Sequence, residues 1–224
     1  MKRTFTIRAM NIPNRKSSGM LERALWPGKR KHSFLELDDQ NGAIVSQLHF
    51  GPRNAEGAKS PAGKHKIDYA TTGLHILGLE KSFMRAASLT GISSKIAKLR
   101  GLETYDIEKF DVKEAFEYGR VSGDDDRILR SWITAQRGIL KINAGDIPFC
   151  AGGRSWMNPQ SCHAGTKALL RVMGPEFTPL LEAMRGEMGS DLFENVEGLE
   201  SVDASDLESL DTNHLVALSQ QLHN

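Results

Sequence analysis

The sequence predicts an α+β protein in which a small antiparallel β-sheet packs against helices. The first observation is a pair of apolar-rich runs, residues 32–37 and 43–50, separated by a turn that contains Asn41-Gly42. Asn-Gly between two such runs is a strong β-hairpin signal. The second observation is a change of period near Lys81, after which apolar residues recur at helical spacing. The chain of 224 residues is long enough for one domain with a substantial core.

The composition argues against several classes of protein. The 29 basic and 28 acidic residues leave a formal net charge of +1, so bulk charge gives no reason to expect binding to nucleic acid or to a membrane surface. The N-terminus lacks the apolar core of a signal peptide, and no stretch approaches the length of about 18 apolar residues that spans a membrane. We therefore expect no nucleic-acid partner, no stable membrane insertion, and either a cytoplasmic location or export without a cleaved signal peptide, as for a bacterial effector.

Cysteine usage and motif spacing bear on redox state and cofactors. The two cysteines, Cys150 and Cys162, are too few for a disulfide framework, which favours a reducing compartment, although composition alone leaves a bridge between them open. No group of His, Cys, Asp or Glu residues has the spacing of a structural zinc site. The chain also has no phosphate-binding glycine motif. We therefore expect neither a metal nor a cofactor.

Three further strands are predicted around the hairpin. Residues 4–10 form the first of them, ahead of a basic, turn-rich connection. Residues 65–70 and 74–79 form the other two, split by Thr71-Thr72-Gly73 and preceded by a loop at 53–64 that is rich in Gly, Pro, Ala and Lys.

The register of the hairpin determines where its two histidines lie. If Gln40-Asn41 is the loop, paired residue numbers add to 81 and His32 lies opposite His49. If Asn41-Gly42 is the loop, the numbers add to 83 and the two histidines are diagonal neighbours. Side chains alternate with period two, so both registers place them on one face, together with Gln47. Each histidine taken alone is more commonly structural than catalytic.

Helices are predicted to dominate the second half of the chain. Residues 81–123, with a short helix at 111–118, are expected to form a helical insertion or layer. Asp124-Asp125-Asp126 supplies the acidic first turn of the next helix. A short strand is predicted at 139–142. The acidic segment 186–224 is expected to be helical or a partly ordered tail.

The turn-rich stretch 156–161 runs directly into a helix that begins at Cys162. Unpaired N–H groups and the positive end of the helix dipole stabilise a thiolate at such a position, which favours a reactive nucleophile. Ser161 can serve as the N-cap of this helix. The alternative interpretation is that Cys162 is a small buried hydrophobe, as most cysteines outside disulfides are.

The order of these features resembles the circularly permuted papain-like cysteine hydrolases, the group that includes the PPPDE peptidases and the lecithin:retinol acyltransferase-like proteins. The resemblance covers roughly residues 30–80 and 125–173. The residues that carry it are His32 in 32–37, His49 in 47–52, Cys162 in 158–170, and the upstream Trp156 and Asn158. Ser161 departs from the family pattern, which commonly has asparagine before the cysteine.

The resemblance implies a fold and a set of residue roles. A permuted papain-like catalytic domain would span residues 1–185, with residues 81–123 as the added helical layer. Cys162 would be the nucleophile and His32 the general base, with His49 or Gln47 orienting the base.

Backbone N–H groups at the start of the Cys162 helix would hold the oxyanion. His163 is not expected to be the base, because adjacent residues on a helix do not face each other.

Three functions follow from this interpretation. The first is hydrolysis of a peptide or isopeptide bond of a protein or peptide substrate through a thioester on Cys162. The second is acyl transfer or lipid deacylation through the same intermediate; no amphipathic anchor supports a membrane-acting lipase. The third is a non-enzymatic interaction module in which Cys162 is buried.

Overall fold

A computed structural model describes residues 4–13, 31–54, 82–90, 115–144, 162–185 and 202–222. The predicted strands at 65–70 and 74–79 lie outside these ranges, as do Cys150, Trp156, Asn158 and Ser161.

Five antiparallel strands form one sheet in the order β4-β3-β2-β1-β5. They are β1 (Thr4–Pro13), β2 (Lys31–Asp38), β3 (Ile44–Asn54), β4 (Ser82–Thr90) and β5 (Phe116–Asp124). The helices are α1 (Asp125–Ala144), α2 (Cys162–Met173), α3 (Thr178–Ala183) and α4 (Thr212–Gln221), with 3-10 turns at Pro175–Phe177 and Ser205–Ser209. The sheet and helices confirm the predicted α+β fold class, and β2 is the central strand.

The turn between β2 and β3 explains the register of the hairpin. The Asp39 carboxylate accepts hydrogen bonds of 2.8 Å from the N–H groups of Asn41 and Ala43, and Gly42 takes a positive φ of 74° that suits glycine. Glu36 pairs with Gln47, so paired numbers add to 83 over most of the ladder. The second of the two predicted registers is therefore confirmed, with one irregularity where the ladder meets the turn.

The two faces of the sheet differ in chemistry. One face is apolar and packs against α1 and α2; it carries Ile7, Ala9, Leu35, Leu37 and Leu48. The other, which we call the polar face, carries Arg8, His32, Glu36, Asp38, Gln47 and His49 around Phe34. Side chains 32 to 38 of β2 are all buried, on both faces of the strand.

Helix α1 begins at Asp125, with Asp125 and Asp126 in its first turn, as the acidic run predicted. Trp132 lies at its centre with no exposed surface. Helix α2 is buried along its length from Cys162 to Leu170, as expected for a helix enclosed by other elements. It packs against β2, β3 and α1.

Two predictions of local structure are wrong. Residues 82–90 and 116–123, placed in a helical layer at 81–123, are strands, and so is the end of the helix predicted at 111–118. β4 pairs with β3 along its whole length. This pairing satisfies the backbone groups of the 11-residue β3, which would otherwise be a long unpaired edge of the sheet. The predicted strand at 139–142 is instead the last part of α1.

The C-terminal segment, residues 202–222, packs against α1. The sequence predicted a helical or partly ordered tail at 186–224; within the described residues of that range, Thr212–Gln221 form α4, and Leu207 and Leu215 are fully buried in the core shared with the sheet and α1. Arg130 of α1 donates a 2.9 Å hydrogen bond to the carbonyl of Leu207, and Gln136 donates one of 3.1 Å to the carbonyl of Ser219. The segment is therefore part of the folded domain.

Candidate functional site

His32 and His49 form a buried, hydrogen-bonded pair on the polar face. His32 Nε2 lies 2.9 Å from His49 Nδ1, and the side chains are almost fully buried. The rings are nearly parallel with centroids 5.2 Å apart, and Phe34 stacks on His49 at 4.6 Å. This contact confirms the prediction that the two histidines share a face.

The pair continues into a chain of polar side chains. His49 Nε2 lies 3.0 Å from Gln47 Oε1, and Gln47 Nε2 donates a 2.6 Å hydrogen bond to Glu36 Oε2. Gln47 is thus the polar neighbour that the sequence predicted for His49. Glu36, the cross-strand partner of Gln47, was not among the predicted site residues.

Arg8 supplies the positive charge of the polar face. Its guanidinium donates hydrogen bonds to Asp38, and Arg8 Nη2 lies 3.7 Å from Glu36 Oε1. Glu117 of β5 also lies 3.7 Å from the same guanidinium. Arg8 therefore partly compensates two buried carboxylates.

Burial keeps both histidines neutral. It lowers the pKa of His49 to about 3. It lowers the pKa of His32 well below 6.5 as well, and positive charge on His49 or His163 would lower it further. Both effects have the same cause, because a charged imidazole loses its hydration in the protein interior. At neutral pH each ring therefore has one N–H donor and one acceptor nitrogen.

Burial shifts the pKa values of Glu36 and Asp38, the two buried carboxyl groups of the polar face, upward instead of downward. Burial raises the pKa of Glu36, against the hydrogen bond from Gln47 and the charge of Arg8. Burial also raises the pKa of Asp38, again against the hydrogen bonds and charge of Arg8. In both cases loss of hydration outweighs the favourable contacts.

Cys162 is the first residue of α2, as predicted. It is a reduced thiol with 8% of its surface exposed, and it belongs to the apolar cluster that includes Leu35, Leu37 and Leu48. Its carbonyl accepts a 2.9 Å hydrogen bond from the Thr166 hydroxyl one turn later. Cys162 is therefore a buried residue of the apolar core.

His163 attaches the start of α2 to the central strand. Its Nδ1 is hydrogen-bonded to the Ser33 hydroxyl of β2, and both side chains are buried. Neither residue was predicted to contact the other.

The structure places the predicted base on β2 and the predicted nucleophile at the start of α2, which packs against β2. Ser33 points toward α2, and side chains alternate along a strand, so His32 points to the polar face. Cys162 belongs to the same core cluster as Leu35 and Leu37, which share the face of Ser33. His32 and His49 are therefore together on the polar face, and Cys162 is the first residue of the helix that packs against their two strands.

The described ranges also give no sign of a metal site or a membrane span. Among them, no group of three or more His, Cys, Asp or Glu side chains is arranged to hold a metal ion. Of the helices within these ranges, none is long and apolar enough to cross a membrane.

No protein-family model matches this chain, and neither curated proteins nor solved structures yield a match to it. The relation to the permuted papain-like hydrolases therefore stays a prediction from the sequence pattern.

Proposed function

We propose that the protein is a thiol hydrolase that cleaves a peptide or isopeptide bond through a thioester on Cys162. The observation that carries the proposal is the position of Cys162 as the first residue of α2, a 12-residue helix packed on the central strands. The N–H groups of a first helical turn and the helix dipole favour a thiolate there. The same N–H groups are suited to hold the oxyanion of a tetrahedral intermediate.

The geometry constrains the choice of proton acceptor. His32 is the base expected from the sequence pattern, and it is near enough to α2 for the charge of His163 to act on its pKa. A direct transfer needs the imidazole within hydrogen-bond reach of the thiol, and catalytic hydrogen bonds in ligand-free proteins commonly tighten only when substrate binds. His163 lies on the α2 side of the sheet and is the histidine to test beside His32.

The rate of alkylation of Cys162 as a function of pH tests the proposal. A Cys150→Ser background leaves Cys162 as the single thiol of the chain. We expect iodoacetamide to react with an apparent pKa below the ordinary thiol value of about 8.5, and we expect His32→Ala to move this profile. His163→Ala is the matched variant. Slow reaction with an ordinary profile in all three proteins would overturn the proposal.

If His163→Ala shifts the pH profile of Cys162 alkylation and His32→Ala does not, Cys162 remains the proposed nucleophile and His163 is the base. A panel of fluorogenic amides and thioesters, compared between the parent and Cys162→Ala, then establishes the bond that is cleaved. Thioester turnover without amide turnover would favour the acyltransferase instead of the peptidase.

A non-enzymatic interaction module is the second candidate. The observation that favours it is the placement of Cys162 in the cluster of buried apolar residues. In that case Cys162 is a core side chain, and Cys162→Ala should lower the free energy of unfolding without loss of any activity. Resistance of the folded protein to alkylation at every pH would favour this function.

A further inference from the structure

The four side chains Glu36, Gln47, His49 and His32 form one continuous hydrogen-bonded chain. The three links measure 2.6, 3.0 and 2.9 Å in that order. All four residues are buried, so each donor has to meet an acceptor within the protein. The direction of one link therefore determines the direction of the next.

The charge state of Glu36 determines which group donates in each hydrogen bond of the chain. An ionised carboxylate only accepts hydrogen bonds, so the Gln47 amide has to present its NH2 group to Glu36 and its carbonyl oxygen to His49. His49 Nε2 then carries the proton, which leaves His49 Nδ1 as an acceptor. His32 Nε2 has to donate to that acceptor, so the lone pair of a neutral His32 is on Nδ1.

The charge of Arg8 supports an ionised Glu36 at the head of this chain, against the burial that raises the pKa of Glu36. Gln47 donates to one carboxylate oxygen, and the Arg8 guanidinium faces the other at 3.7 Å. A protonated Glu36 would donate to Gln47 instead, and an amide flip would then reverse every link. The rings of His32, Phe34 and His49 are nearly parallel. This packing holds the two imidazole rings in the orientation that their hydrogen bond needs.

We propose that Glu36 and Gln47 are positioning residues that fix the tautomers of His49 and His32, so that His32 presents Nδ1 as its proton-accepting nitrogen. The use of that nitrogen to activate Cys162 rests on the proposed function. The tautomers themselves do not depend on it, because they follow from the donors and acceptors of the polar face.

The test is the protonation of the ring nitrogens, measured by two-bond ¹H–¹⁵N correlation on the whole protein at neutral pH. We expect the protonated nitrogen to be Nε2 in both His32 and His49. Gln47→Met cuts the chain while keeping the length of the side chain, and His32 should then populate both tautomers. Asp38→Asn is the matched control, since Asp38 lies on β2 on the same face as Glu36 and contacts Arg8 but is not a link of the chain. It should leave both tautomers unchanged.

The parent spectrum is informative even if a variant fails to fold. A proton on Nδ1 of His32 in the parent protein overturns the proposal directly. An unchanged His32 tautomer in a folded Gln47→Met variant overturns it as well. The His163 signals report on folding, because its contact with Ser33 lies on the other face and should survive each substitution.

Failure of the proposed function gives a different result. If the tautomers are as expected but alkylation of Cys162 does not respond to His32→Ala, the positioning role stands and the His32–Cys162 coupling does not. If both stand, Gln47→Met should shift the pH profile of Cys162 alkylation in the direction that His32→Ala does, and by a smaller amount.

Discussion

Acid should destabilise this protein because it folds around a histidine that stays neutral. The pKa of His49 is about 3 in the folded protein and 6.5 without burial. Above about pH 6.5 neither state takes up this proton, so the contribution is fully present there. Below it the unfolded chain binds a proton that the folded protein excludes, and stability falls by about 1.4 kcal/mol for each pH unit down to the folded pKa. At pH 5, about 1.5 pH units below the ordinary value, the loss is about 2 kcal/mol, which is a large part of a typical domain stability.

Comparison with His49→Gln isolates this contribution. Glutamine can accept from His32 and donate to Gln47, as His49 does, but it does not titrate. The pKa values of Glu36 and Asp38 are raised, so these groups oppose the acid loss, and they do so in both proteins. Urea unfolding at pH 7 and pH 5 should show that the wild type loses about 2 kcal/mol more than the variant, with equal m-values. Equal losses in the two proteins would refute the reasoning, because His49 would then be charged in the folded state.

Three further substitutions test the stability of other parts of the fold. Gly174→Ala should cost about 1 to 3 kcal/mol, because Gly174 has φ 125°, a backbone conformation that residues with a Cβ rarely adopt. Trp132→Ala, at a fully buried position of α1, should cost about 3 to 5 kcal/mol in urea unfolding. Arg137→Met removes a guanidinium that donates two 2.7 Å hydrogen bonds to Asp206, and it should speed limited proteolysis of the C-terminal segment.

Two of these predictions have a specific contrary result. Arg185→Met is the control for Arg137→Met, since the Arg185–Glu182 pair lies within one turn and should leave proteolysis of the C-terminal segment unchanged. Equal acceleration by both would mean that general charge, not docking, controls cleavage. A Gly174→Ala variant as stable as the wild type would show that the turn into the 3-10 helix relaxes without strain.

Much of the fold could be predicted because its signals are local. The turn around Gly42 identified the position of the hairpin. The register in which paired residue numbers add to 83 then predicted that His32 lies beside His49. The strands at 82–90 and 116–124 were missed because their stabilisation comes from neighbours distant in the chain. Phe116 and Tyr118, aromatic residues at alternate positions, were the local indication of β5.

The site was predictable in part. The register in which paired numbers add to 83 also pairs Glu36 with Gln47, so the first link of the hydrogen-bonded chain was available from the sequence. The alternation of side chains along β2 gave a second indication. Leu35 and Leu37 lie on its apolar face, so His32 lies on the other face. The contact of His163 with Ser33 could not be predicted, because it depends on how far α2 is rotated and shifted along the sheet.

The docking of the C-terminal segment on α1 has a consequence for biosynthesis. A ribosome releases the chain from its N-terminus, so β1 through α1 are made well before Leu207 and Leu215 exist to cover them. Domains generally fold as units during or after synthesis, and uncovered apolar surface in the interval promotes aggregation. The nascent protein thus passes through a stage at which α1 lacks the residues that cover it, and completion of the fold waits for residues 202–222 to emerge.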